Sequence, residues 1–318
     1  MNKQPILQDV ETAYQKIRPY IHKTPVLTCS ALNQMVGANL YFKCENFQKV
    51  GAFKFRGACN AVFSLSDSEA SRGVVTHSSG NHAAALALAA RKRGITARIV
   101  MPSNAPKVKI EAVKEYGGII TFCEPTLKAR ESTAEQIIQE TGATFIHPYN
   151  NYQIIAGQGT AALELHKEID NLDFVLAPVG GGGLLSGTAI ALKELKPGIK
   201  VIGCEPKNAD DAYRSKKAGY IIPSVNPDTI ADGLLTSLGN KTFPIVRDLV
   251  DEIVLANEEE IVTAMRYIFE RMKIVIEPSS AVPLATLLSK NINISNKNVG
   301  LILSGGNIDL TDFFTKLI

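Results

Sequence analysis

From Gly73 onward, short apolar runs alternate with longer amphipathic segments. Gly73-Val74-Val75-Thr76-His77 predicts a strand, and Asn81 to Arg93, rich in alanine and leucine, predicts a helix. Three cations and Gly94 close that helix, which suits its negative end and a glycine placed just beyond it. Strands follow at Ala97 to Met101, Ile119 to Phe122 and Thr144 to Ile146, with helices at Pro106 to Tyr116 and Thr126 to Glu140 between them. Such an alternation of strand and helix builds a parallel sheet.

A second series begins later. It predicts strand Phe174 to Val179, a glycine run, helix Leu184 to Leu195, strands Lys200 to Cys204 and Glu252 to Leu255, helix Glu258 to Met272 and strand Val299 to Leu303. The N-terminal part, with a helix around Leu7 to Ile21 and a strand at Leu40 to Lys43, must pack against one of the two series. No repeat or linker marks a boundary.

Composition narrows the class. At 318 residues, with 45% hydrophobic and 20% charged positions, the chain is long enough for two α/β lobes, and with 24 glycines and 15 prolines it is neither collagenous nor low in complexity. Lysine and arginine number 34 against 31 acidic residues, and the longest basic run is Arg91-Lys92-Arg93, so nothing argues for a nucleic-acid or membrane-surface partner. A small ligand is expected instead. No stretch has the roughly 18 to 20 apolar residues that cross a bilayer, and the start lacks the apolar core of a signal peptide, so a cytoplasmic location is expected. The five cysteines, Cys29, Cys44, Cys59, Cys123 and Cys204, show no metal-ligand spacing and read as reduced thiols.

In a parallel α/β sheet, ligands bind beyond the carboxyl ends of strands. Gly180-Gly181-Gly182-Gly183 follows one predicted strand and precedes a helix; four residues without Cβ let backbone N–H groups converge on an anion, the physics of a phosphate cradle. Ser78-Ser79-Gly80-Asn81-His82 follows another strand and fits a substrate carboxylate site or a plain helix cap equally well. In Gly51-Ala52-Phe53-Lys54-Phe55-Arg56-Gly57-Ala58 a lysine sits among aromatic and small neighbours, where desolvation would lower its pKa as a Schiff-base lysine requires; taken alone, cations snorkelling from the start of an amphipathic helix are the simpler reading. Ser304-Gly305-Gly306-Asn307 supplies a hydroxyl at a strand end. His77 and His147 follow strands without a paired acid and read as core or loop residues.

Together, GAFKFRGA, SSGNHA, PVGGGGLLSG, CEPKNADD, IADG, ERMKIVIEPSSA and LSGGN stand in an order and spacing that resembles the fold type II pyridoxal-phosphate enzymes, in the branch of serine racemases and serine/threonine dehydratases. The resemblance extends from Thr24 to Asn307. It implies a two-domain α/β fold like that of tryptophan synthase β chains, with parallel-rich sheets flanked by helices. The large cofactor domain would comprise residues 1–72 and 149–318, the small domain residues 73–148, and two chains would form a homodimer.

The resemblance also implies roles. Lys54 would hold pyridoxal 5'-phosphate through its amine and, once freed by an incoming β-hydroxy amino acid, remove the Cα proton. Gly180, Gly181, Gly182 and Gly183 would bind the phosphate, Asn81 the ring 3' oxygen, Ser304 the pyridine nitrogen, and Phe53 would pack beside the ring. Ser78, Ser79, Asn81 and His82 would hold the substrate carboxylate, with Ser79 on the opposite face from Lys54, where donating a proton to Cα would give the D-enantiomer. Arg130 stands where a cation meets a second substrate carboxylate, as 3-hydroxyaspartate would need, though a solvent-facing arginine is the simpler reading. Glu205, the Ala209 carbonyl and Asp211 match a divalent-cation loop suited to Mg²⁺, with Ca²⁺ or Mn²⁺ as alternatives. Lys49, Tyr116, Lys273 and Asn307 match positions that bind ATP as an effector, while Ala84 and Val50 depart from that pattern. Ser280 takes the place of the glycine in the family's EPSGA turn. The implied activity is serine racemisation with L-serine and L-threonine dehydration. The alternatives are a threo-3-hydroxyaspartate ammonia-lyase, a catabolic threonine dehydratase or, in a different class, a phosphate- or nucleotide-binding regulatory protein.

Overall fold

Short apolar runs become strands in this computed structural model, which describes residues 3–290 and 292–309. The strands are β1 (Val26–Leu27), β2 (Asn39–Cys44), β3 (Val74–His77), β4 (Ala97–Pro102), β5 (Ile119–Cys123), β6 (Thr144–Phe145), β7 (Phe174–Pro178), β8 (Lys200–Pro206), β9 (Glu252–Ala256) and β10 (Asn298–Leu303). They form a six-stranded sheet in the order β1-β2-β10-β7-β8-β9 and a four-stranded sheet in the order β5-β4-β3-β6. Every pairing is parallel except that of β1 with β2. The smaller sheet is continuous in sequence, whereas the larger draws strands from both sides of it.

Both faces of each sheet are covered, which is why the strands lack polar alternation. On β10, Leu301 and Leu303 pack on one side with Leu284 and Leu287, and Ile302 packs on the other with Val175, Leu163 and Leu185, the two-residue period sorting neighbours to opposite cores. The smaller sheet has its own two cores, one built on Val74, Ile99, Leu86 and Ala90, the other on Val75, Val100 and Ile137.

The apolar pattern of the sequence does not predict the helix Tyr152–Glu168. Its residues Ile154 to Leu165 are buried on every side, so it lacks the polar face that marks a helix in sequence. It is the spine on which the site is hung. A Cβ on Gly157 would sit 2.7 Å from the Gly57 Cα, and one on Gly159 would sit 2.6 Å from the Gly187 carbonyl. Those glycine contacts draw the helices Lys54–Phe63 and Gly183–Leu195 tightly onto it from two sides.

Other boundaries moved. The first helix ends at Ile17 rather than Ile21, with Arg18 as its cap. The helix from Glu258 stays α-helical only to Tyr267; Ile268–Met272 is a π turn that stops at Lys273, whose φ is 61°. The segment after Glu277 is the helix Pro278–Leu288, opened by proline at its first position. Ser280 therefore lies in regular helical backbone, and replacing the family's glycine costs it no left-handed conformation.

Candidate active site

Lys54 and Ser304 are brought together by backbone pairing. Ala52 bridges Gly305, the Phe53 N–H donates to the Ser304 carbonyl at 2.9 Å, and the Gly306 N–H donates to the Gly51 carbonyl at 2.9 Å. The start of the Lys54–Phe63 helix is thus stitched to the end of β10. Lys54 Nζ donates to the Pro148 carbonyl at 3.2 Å and lies 5.1 Å from the centre of the Phe53 ring. Among the described residues no carboxylate pairs with it. Burial lowers its pKa to about 8, with the Glu277 charge pulling weakly the other way.

The second lysine-helix cation behaves differently. Arg56 does not snorkel: it is wholly buried, with Nε and Nη2 donating to Glu45 at 2.7 and 2.8 Å and both Nη atoms donating to Glu164.

The tetraglycine segment joins β7 to the helix Gly183–Leu195. Gly182 has φ of 82°, and the space a Cβ on Gly181 would need is filled by the ring of Tyr149. The Gly181 carbonyl is tied to the Thr242 hydroxyl at 2.9 Å. Among the described residues, no group accepts a hydrogen bond from the N–H of Gly180, Gly181, Gly182 or Gly183, and the first turn of the helix adds donors with no intrahelical partner. Such a cradle fits a phosphate. Tyr149 escaped the sequence reading because nothing in its local pattern distinguishes it; only the fold lays its ring on Gly181. Its ring also meets His147 edge-on at 4.6 Å.

The Ser78-Ser79-Gly80 turn follows β3. The Ser78 N–H donates to the Val100 carbonyl at 3.1 Å, and its hydroxyl accepts from the Gly80 N–H at 3.3 Å. The Ser79 hydroxyl is half-buried and makes no hydrogen bond among the described residues. No side chain caps the helix Asn81–Arg93, so its first N–H groups remain open. His82 is buried and faces the Ile146 carbonyl through Nε2 at 3.2 Å; burial, and then the Lys54 charge, lowers it to about 3, so the ring is neutral. His147 is lowered to about 4 by burial and by His77. Arg130 is half-buried, and its charge acts on His77 at the end of β3.

Asn81 crosses to the larger sheet. Its Nδ2 donates to both Glu277 oxygens at 3.1 and 3.0 Å, and its Oδ1 accepts from Asn307 Nδ2 at 2.9 Å. Glu277, which the sequence offered only as part of a turn, is 4% exposed. Burial raises its carboxyl to about 7, with the Asn81 hydrogen bond opposing and the Asp232 charge adding to the rise. Ser304 is buried too, its hydroxyl 3.0 Å from that of Ser280.

Asn307 also donates to the Val50 carbonyl at 2.7 Å, beside Lys49, whose amine is held by the Tyr20 carbonyl. Lys273 Nζ donates to the Glu270 carbonyl at 2.6 Å, and Tyr116 packs against the core that contains Ala84. No hydrogen bond among the described residues joins Tyr116 or Lys273 to the Lys49 and Asn307 pair.

Glu205 and Asp211 sit at the end of β8. Glu205 is fully buried, accepts from the N–H groups of Ala212 and Tyr213 at 2.8 Å each, and is raised to about 9 by burial against those bonds. Asp211 is buried with neither carboxylate oxygen in good hydrogen-bond geometry among the described residues, and burial raises it to about 6 against the pull of the Leu238 and Asp211 backbone N–H groups. Two orphaned carboxylate oxygens beside a second buried carboxyl suit a divalent cation, whose remaining oxygen ligands would be carbonyls and water. No cluster of three or more His, Cys, Asp or Glu able to hold a metal occurs among the described residues.

Known proteins agree with this geometry. The family model for pyridoxal-phosphate dependent enzymes matches residues 17–305. A serine racemase from Dictyostelium discoideum is 53% identical over 96% of this chain and 95% of its own length. A beta-hydroxyaspartate dehydratase from Paracoccus denitrificans is also 53% identical, over 96% of this chain and 97% of its own. The crystal structure of the Dictyostelium discoideum serine racemase superposes with a TM-score of 0.93, covering 96% of this chain and 99% of that one.

Proposed function

The chain belongs to the pyridoxal-phosphate-dependent enzymes, and from that premise we propose that it interconverts the enantiomers of serine and dehydrates L-serine and L-threonine to ammonia and a 2-oxo acid. The observation that carries this reading is the Lys54 amine. It is held by one carbonyl, has no carboxylate partner among the described residues, and is lowered by burial to a pKa of about 8, so it is available as nucleophile and base where an ordinary lysine is not.

Pyridoxal phosphate, when bound, supplies an electron sink for bonds broken at Cα. The chain supplies the rest. The open N–H groups of Gly180 to Gly183 bind the phosphate, and Phe53 and Ser304 border the ring. Asn81 bears on the ring oxygen, although in this structure both ends of its amide are engaged by Glu277 and Asn307. The uncapped start of the Asn81 helix, with Ser78, Ser79 and His82, receives the substrate carboxylate and so orients the Cα–H bond. Lys54 takes that proton from one face. The unengaged Ser79 hydroxyl returns one to Cα from the other, and loss of the β-hydroxyl competes with that return.

Residues 1–72 with 149–318 and residues 73–148 then form the two domains, whose approach excludes water. Glu205, the Ala209 carbonyl and Asp211 hold Mg²⁺, Ca²⁺ or Mn²⁺. The working form would be a cytoplasmic homodimer, and an ATP effector would be held by Lys49 and Asn307, with Tyr116 and Lys273 as further contacts. No helix among the described residues is long and apolar enough to cross a membrane. A second reading, dehydration of 3-hydroxyaspartate, draws on Arg130, whose charge reaches the end of β3 and would meet a second carboxylate, and on the dehydratase relative.

Incubation with pyridoxal phosphate, then borohydride, should fix a pyridoxyl group on Lys54, and Lys54→Ala should lose the visible absorbance and all turnover. Following chirality and oxo-acid release with L-serine, L-threonine and threo-3-hydroxyaspartate separates the substrates. Full turnover by Lys54→Ala would sink the reading.

A further inference from the structure

The turn between β6 and the helix Tyr152–Glu168 is closed by an imidazole. His147 Nδ1 accepts from the N–H of Tyr149 at 3.3 Å and from that of Asn150 at 3.0 Å. A backbone N–H can only donate, so Nδ1 carries no proton. The ring is kept neutral by burial and by the charges of His77, Lys54 and Lys241, and its one N–H is therefore on Nε2. Pro148, between the ring and its two donors, has no N–H of its own to compete. Four residues on, Asn151 Oδ1 accepts from the N–H groups of Gln153 and Ile154 at 2.8 and 3.2 Å. Acceptor and donors have the same spacing in both places, so the imidazole does at 147 what an asparagine amide does at 151.

The same turn meets the site twice. Its Pro148 carbonyl accepts from Lys54 Nζ at 3.2 Å, a contact of the free amine, which is the form in which the proposed reaction has Lys54 take the Cα proton. Its Tyr149 ring fills the space beside Gly181, and the Tyr149 Cα lies 3.2 Å from where a Cβ on Gly183 would stand. We propose that His147 is a positioning residue whose Nδ1 fixes the 147–150 turn and so sets, together, the hold on the free Lys54 amine and the Tyr149 wall of the glycine cradle. The inference rests on the reading that Lys54 and Gly180 to Gly183 serve the cofactor. The role needs no contact between His147 and the reacting atoms. Without the acceptor, two N–H groups of a half-buried turn are left to find water, and the carbonyl and the ring, adjacent in the chain, shift as one. Coupled damage to the base and to the phosphate site is its signature.

The test compares His147→Phe, which keeps a ring without the acceptor, with His147→Asn, which keeps an acceptor in the same place. Pyridoxine 5'-phosphate has no aldehyde and so reads the cradle without a bond to Lys54. The affinity of the cofactor-free protein for it should fall roughly tenfold in His147→Phe, and kcat for L-serine, measured on holoenzyme at saturating cofactor, should fall by a similar factor, the effect of one ordinary hydrogen bond. His147→Asn should recover most of both. No loss in His147→Phe, a loss in one readout alone, or losses that His147→Asn does not recover overturn the proposal. Should His147→Phe fail to fold, nitrogen-15 NMR of the native imidazole decides: Nδ1 bare and Nε2 protonated at neutral pH is the expected result, and the opposite tautomer overturns it. Failure of borohydride to fix pyridoxal phosphate on native Lys54 is a separate result, which removes the functional reading and this inference with it.

Discussion

Lys54 and Arg56 stand two residues apart on one helix, the first half-buried and the second fully buried, and their surroundings are opposites. Arg56 is saturated: Glu45 and Glu164 take its N–H groups, Thr160 accepts at 3.2 Å, and Lys43 completes the set by donating to Glu164 at 2.8 Å and to the Thr24 carbonyl at 2.7 Å. Two cations meet two carboxylates, so the buried cluster is neutral. Burial alone would lower the Arg56 pKa, and the two glutamates outweigh it, leaving it raised; burial alone would raise Glu164, and Arg56 with Lys43 hold it below its ordinary value. Lys54 has one carbonyl, and the acid whose charge acts on it, Glu277, is itself pushed toward neutrality. A buried charge that holds structure is paired to completion, and one that does chemistry is left short of partners.

The widest gap between the two regions should appear on breaking the saturated one. Arg56→Met leaves Glu45 and Glu164 facing Lys43 alone, and removing one partner of a buried charge set costs about 3–5 kcal/mol. Denaturant unfolding should show a loss of that order, with poor soluble yield. Lys54→Ala should unfold at least as late as the native cofactor-free protein, because it removes a desolvated amine held only by the Pro148 carbonyl among the described residues. A small loss for Arg56→Met would mean the cluster is dispensable and the contrast false.

Only the second kind of site was legible in sequence, and the reason is distance along the chain. The glycines from Gly180 to Gly183 stand out by themselves, as a strand end followed by residues without bulk, whereas Lys54 and Ser304 stand out only through the resemblance carried by the motifs around them. The cluster around Arg56 joins residues up to 121 positions apart, Lys43 to Glu164, so no local pattern encodes it. Glu277 looked like a turn residue because its partners, Asn81 and Asn307, arrive from other elements. Tyr149 and the helix Tyr152–Glu168 were missed for a related reason: a segment buried all round has no periodicity to read. The two-sheet architecture was readable from the strand alternation, whereas the order within the larger sheet, with β10 inserted between β2 and β7, is set by long-range packing.

The next effect is in pH. Glu277 has a folded pKa near 7, above that of an unfolded carboxyl, so between about pH 4.3 and 7 the folded state binds more protons and stability falls as pH rises. Lys54 has a folded value near 8, below its unfolded one, so between about pH 8 and 10.4 the unfolded state binds more protons and stability rises with pH. Glu164 runs the other way from Glu277: its pKa is depressed, and its contribution, present above the unfolded value, is lost as pH falls through the folded one. Glu205 and Asp211 share the sign of Glu277 in metal-free protein. The stability curve of cofactor-free Glu277→Gln, compared with the native one, should therefore lack part of the decline toward pH 7 and match it above pH 8. Identical curves would mean that Glu277 is ionised like any surface acid.

The smallest effect tests whether surface charge reaches the cleft. Lys109, on the helix Lys107–Glu115, donates to Asp232 at 2.7 Å, linking the smaller sheet's side to the larger. Both side chains are substantially exposed, so the pair is worth only about 0.2–1 kcal/mol and breaking it from either end should lower stability by the same small amount. Its two ends act on Glu277 with opposite signs: the Asp232 charge raises that carboxyl and the Lys109 charge lowers it. Asp232→Asn should then bring the Glu277 titration to lower pH and Lys109→Met should send it higher, read from the carboxyl carbon of labelled Glu277 by NMR. Equal losses of stability with opposite titration shifts would separate an electrostatic effect on the cleft from a loosening of it, since loosening admits water and drives Glu277 downward in both variants. The saturated cluster offers no such handle, because its charges cancel within hydrogen-bond distance and a distant surface charge acts on it only weakly.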